Sequence, residues 1–116
     1  MSTLTLSKVE QEVVVANLEQ QRGRLPADNR DAPLLEGLSM RIKASTTLTV
    51  TKLEAFVMLR HLRVRRFKLS NDLMALEERR VRGGFNGTLD AAHKALDAEA
   101  TVLDDVMRRL WEMLGT

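Results

Sequence analysis

Cysteine is absent from this sequence. That excludes a disulfide framework, a thiolate metal site and a cysteine nucleophile. Tyrosine is absent too, and only three phenylalanines and one tryptophan supply aromatic surface. Single-strand nucleic-acid binders stack bases on aromatic side chains and usually offer more of them. Proline occurs twice, at Pro26 and Pro33, so long helices can run without a break. No apolar run approaches the roughly 18 residues that would span a bilayer. The opening MSTLTLSKVEQ lacks the apolar stretch of a secretory leader. A cytoplasmic, non-membrane protein is therefore expected.

Apolar and charged residues are plentiful. They make up 44% and 29% of 116 residues, which suits one folded domain and is too apolar for disorder. A chain of this length buries a core without metal or disulfide staples. The formal net charge is only +2, but its distribution is uneven. Residues 60–82 hold eight basic side chains against Asp72, Glu77 and Glu78. Residues 83–116 hold three basic side chains against six acidic ones. A basic segment followed by an acidic one predicts either an anionic partner or mutual pairing of the two segments.

The hydrophobic pattern is helical nearly throughout. Ser7-Lys8-Val9-Glu10 has the form of a capping box and opens a helix over 7–22. Residues 23–32, GRLPADNRDA, are rich in turn formers. Pro33 suits the first turn of a short helix over 33–44. Residues 45–50, STTLTV, read as an extended linker or a short strand whose one candidate partner is STLTL at the N-terminus. Thr51-Lys52-Leu53-Glu54 is a second capping box. A helical pattern follows over 51–82 and stops at Gly83-Gly84. After the turn GGFNG, with Asn86 or Thr88 as cap, a last helix covers 88–114. The expected fold is all-α: about four helices, dominated by an antiparallel hairpin of 51–82 and 88–114.

Two features of that hairpin set the functional expectation. The helix at 51–82 carries two apolar rows about half a turn apart, where a surface helix carries one. One row is Leu53, Val57, Val64, Phe67, Met74 and Val81; the other is Leu59, Leu62, Leu69, Leu73 and Leu76. The helix at 88–114 carries a heptad seam of Leu89, Ala92, Leu96, Glu99, Leu103, Val106, Leu110 and Met113, broken only by Glu99. An unbroken helix of this length spans about 48 Å. A compact chain of this size has a radius of gyration of about 13 Å. The helix must therefore break near Ser70-Asn71-Asp72 or project beyond its neighbours. The projecting form is favoured, and it would leave apolar surface for a partner.

Signals for chemistry are sparse. Asp90-Ala91-Ala92-His93 has metal-ligand spacing, but a di-iron bundle needs a second such motif, and His61 does not supply it. There is no nucleophile elbow and no glycine-rich phosphate loop. No cofactor or metal is expected. The sequence points to a non-catalytic helical interaction or assembly subunit that self-associates or docks on a larger complex. The expected contact residues are Leu62, Leu69 and Leu73 on the third helix, with Leu103, Met107, Leu110, Trp111 and Leu114 near the C-terminus. The second expectation is a nucleic-acid-binding accessory subunit using Arg60, Arg63, Arg66, Arg79, Arg80 and Arg82. A small helical enzyme is the third.

Overall fold

The computed structural model describes residues 1–83 and 87–115. Gly84, Phe85 and Asn86, from the expected turn, lie outside the described residues, as does Thr116. The chain runs β1 (Ser2–Thr5), α1 (Lys8–Arg24), α2 (Asp31–Ala44), β2 (Thr47–Val50), α3 (Lys52–Gly83) and α4 (Gly87–Leu114). α3 and α4 form the expected antiparallel hairpin, with two shorter helices before it. No helix among the described residues is long and apolar enough to cross a membrane.

Both capping boxes are formed. At α1 the Ser7 hydroxyl accepts from the Glu10 N–H at 3.1 Å, and the Glu10 carboxylate accepts from the Ser7 N–H at 2.8 Å. At α3 the Thr51 hydroxyl accepts from the Glu54 N–H at 3.1 Å, and Glu54 accepts from the Thr51 N–H at 2.9 Å. These bonds satisfy donors that a helix start leaves unpaired. α2 begins two residues before the expected position 33. Asn29 Oδ1 accepts from the Asp31 N–H at 2.8 Å and nucleates the turn ahead of Pro33.

Of the two forms expected for 45–50, linker or short strand, the structure shows the strand, at Thr47–Val50. β1 and β2 pair antiparallel, with Ser2 opposite Val50 and Thr5 opposite Thr47. A two-stranded ribbon is marginal alone. Here its inner face supplies Leu4, Leu48 and Val50, all buried, and its period-two alternation sends the threonines outward. With α1 and α2 the ribbon forms a lobe around the first third of α3. Val14, Leu18, Leu35, Leu38 and Ile42 meet Met58, Leu59 and Leu62 in one cluster.

α3 is continuous through Ser70, Asn71 and Asp72. Its length sets the shape of the molecule, which measures 49 × 30 × 26 Å with a radius of gyration of 15.7 Å. The buried residues of α3 are Ala55, Val57, Met58, Leu59, His61, Leu62 and Leu69. Those of α4 are Ala100, Leu103, Val106 and Leu110. Beyond Leu69 the hairpin continues as a two-helix projection, where Leu73, Leu76, Leu89 and Leu96 are only half-buried.

The all-leucine row of α3 thus faces inward; of the other row Leu53, Val64, Phe67, Met74 and Val81 face solvent, and Val57 is buried in the core. Leu69→Ala should leave a cavity and cost about 3 kcal/mol. Met74→Ala, one turn further on the outer face, should change stability by no more than about 0.5 kcal/mol. Urea unfolding of dilute protein followed by circular dichroism checks the contrast, and equal losses would contradict the assignment.

Candidate interaction surface

The outer face of α3 is built by a seven-residue step. Leu53, Arg60, Phe67, Met74 and Val81 recur at that interval, which keeps them near one side of a 3.6-residue helix. Phe56, Val64, Asn71 and Glu78 fill the spaces between them. Phe67, Met74 and Val81 are 71%, 65% and 79% exposed. Leu53, Phe56 and Val64 are also exposed. Singly scattered apolar residues are normal on a protein surface. Here six lie along one side of one helix, with Arg60, Asn71 and Glu78 between them.

At the wider end, α4 adds Trp111. Phe56, Leu59, Arg63, Phe67 and Trp111 line a shallow groove of about 490 Å³. The Arg60 guanidinium lies 5.2 Å from the centre of the Phe56 ring, a cation–π distance, and 3.4 Å from Asp31. Three of the four aromatic residues of the chain therefore share this face, and each is at least half exposed.

The residues expected at an interface divide differently. Leu62, Leu69, Leu103 and Leu110 are fully buried in the core and inaccessible to another molecule. Leu73, Met107 and Leu114 are half-buried and pack against that core. Trp111 alone of the eight is exposed. The correction has a physical basis. α4 has one wide apolar seam, and it covers the leucine row of α3, where Arg65 and Arg66 between Leu62 and Leu69 meet Glu99 and Asp104. The other row carries Arg60, Asn71 and Glu78 among its apolar residues and stays on the outside.

Half of the eight basic residues at 60–82 are engaged within the fold: Arg60, Arg65, Arg66 and Arg80. Arg65 grips Glu99 with two hydrogen bonds of 2.8 and 2.9 Å. Arg66 grips Asp104 at 2.8 and 3.3 Å and also donates to the Ser70 hydroxyl. Arg80 meets Asp90 at 3.2 Å and Glu77 at 3.4 Å. Of the six arginines expected to meet a polyanion, Arg60, Arg66 and Arg80 thus have acidic partners. Arg63, Arg79 and Arg82 form no ion pair among the described residues.

Glu99, the one break in the heptad seam, is explained by its partners. It accepts from Arg65 of α3 and from Asn17 of α1, the latter at 3.2 Å, and so ties three helices together. Its carboxylate is held below the usual glutamate range, first by the Arg65 hydrogen bonds, then against burial, with help from Asn17. The network floors a groove of about 660 Å³ between α1 and α4 with apolar walls including Val9, Val13, Ala16, Ala98 and Val102. Nothing in the residue spacing pointed to that groove. Asp90 and His93 face α3, where His93 Nε2 lies 3.7 Å from Glu77. Among the described residues no three metal-ligating side chains converge.

The pH dependence follows from the lowered Glu99 value. A carboxylate whose folded pKa lies below its unfolded one stabilises the fold above the unfolded value and loses that effect as pH falls through the folded one. Glu99→Gln should therefore cost about 2 kcal/mol at neutral pH, because it leaves the half-buried Arg65 without its charge partner. The difference from wild type should shrink below about pH 4. Thermal melts across that range check it, and a difference independent of pH would contradict it.

No protein family, curated protein or solved structure matches this chain, and the reading of its function therefore rests on the geometry above.

Proposed function

We propose that this protein is a non-catalytic helical assembly module that docks another polypeptide along the outer face of α3. The observation that supports this reading is the strip from Leu53 to Val81, continued by Trp111. Monomeric proteins rarely leave large contiguous apolar patches in water, and such patches mark contact sites. The strip has the anatomy of one. Aromatic residues and arginine occupy its wide end, and polar residues punctuate the rest.

The polyanion reading has less behind it. Arg65, Arg66 and Arg80 bind acidic residues, most of them on α4, which accounts for much of the uneven charge. An enzyme would need polar groups converging in a pocket. The polar group at the floor of the wide groove, Arg65 with Glu99 and Asn17, is mutually satisfied, and His61 is buried against Asp31 and Gln21.

A photo-crosslinking residue placed at Phe67 or Met74 in the native host tests this. The expected result is one discrete polypeptide adduct of fixed mass from both positions, and none from Lys94 on the exposed side of α4. No adduct from the strip, or an adduct with nucleic acid alone, would overturn the reading.

A further inference from the structure

We propose that the occupant of this strip is the same strip of a second copy of the chain, lying antiparallel, with the two-fold axis passing beside Phe67. The inference rests on the docking reading above and names its partner. Three observations carry it.

The first is positional. Phe67 stands midway between Leu53 and Val81, and midway between Arg60 and Met74. An antiparallel pair centred there sets Leu53 against Val81 of the other copy and the Arg60 stem against Met74, twice over. Phe67 meets its own equivalent at the axis, where paired aromatic rings are favourable. A two-fold contact requires such self-complementarity.

The second is charge. The first half of the strip carries Arg60, which also lies 3.4 Å from Asp31, and Arg63; on the strip itself the second half carries Glu78, which forms no ion pair among the described residues, with Arg79 and Arg82 following it in the chain. A parallel pair would stack Arg60 on Arg60 and Glu78 on Glu78. The antiparallel pair instead sets each Glu78 opposite the other copy's Phe56, about one helical turn from its Arg60. Charges beside an apolar seam select orientation in this way.

The third is shape. β1, α1, α2 and β2 gather around one end of α3, and the hairpin beyond Leu69 is bare. A parallel pair would push lobe against lobe. The antiparallel pair lays each lobe beside the other copy's slender projection, so the full strip can close.

Because the chain has no cysteine, single-cysteine variants report the pairing directly. Leu53 and Val81 are both exposed, so Leu53→Cys and Val81→Cys should leave the fold intact, which helicity by circular dichroism verifies. Under mild oxidation the equimolar mixture should give a disulfide-linked dimer, and each variant alone should give almost none. Adducts from each variant alone, with none added by mixing, would overturn the antiparallel arrangement. No adduct in any tube would overturn self-pairing. In that event a foreign polypeptide crosslinked at Phe67 would leave the docking reading standing, and no crosslink there would end both. Adducts that form only when a single-stranded oligonucleotide is added would also overturn self-pairing, in favour of a polyanion.

Discussion

A helix of 32 residues is about 48 Å long, and its own chain has too little material to surround it. The 49 Å long axis of the molecule is essentially that helix. The lobe of β1, α1, α2 and β2 covers one end, and α4 covers one side. The opposite side of α3 stays bare from Leu53 to Val81. Every other structural choice works around this geometry. The core is dense where the lobe meets the hairpin, at Met58, Leu62, Leu103 and Leu110, and thins to half-buried leucines towards the turn.

What keeps so long a hairpin in register is electrostatic as much as apolar. Arg80 with Asp90, Arg65 with Glu99 and Arg66 with Asp104 form a ladder between α3 and α4. Leucines alone would tolerate a slip of one heptad. A slip that separated Arg65 from Glu99 would leave two half-buried charges unpaired, a far larger penalty than an exposed ion pair ever returns. Asn17 extends the same contact to α1, so the lobe and the hairpin share one fixing point. The basic middle and acidic end of the sequence are, in good part, two sides of this ladder.

Much of the fold was legible because its signals are local. Capping boxes at Ser7 and Thr51 state where helices begin, and their chemistry needs only a hydroxyl and a carboxylate three residues apart. The heptad steps of α4 state where its seam lies. The ribbon was half legible: STLTL and TLTV have alternating patterns, but their pairing joins residues nearly fifty positions apart and depends on the lobe to cover one face. The choice of outer row was not settled by periodicity, since both rows on α3 repeat equally well. Leu62 and Leu69 were expected at a contact surface and lie in the core, because the partner they were thought to await is α4 itself. The wide groove beside Arg65 depends on the angle between α1 and α4, which no spacing encodes.

If a second copy covers the outer face of α3, the protein must pair reversibly in solution. Sedimentation velocity over a range of concentrations measures this most directly. The expected result is a species of twice the 13.1 kDa chain mass that dissociates on dilution, and a Phe67→Glu variant that stays folded and monomeric throughout. A wild-type protein that sediments as a folded monomer at every concentration would contradict it.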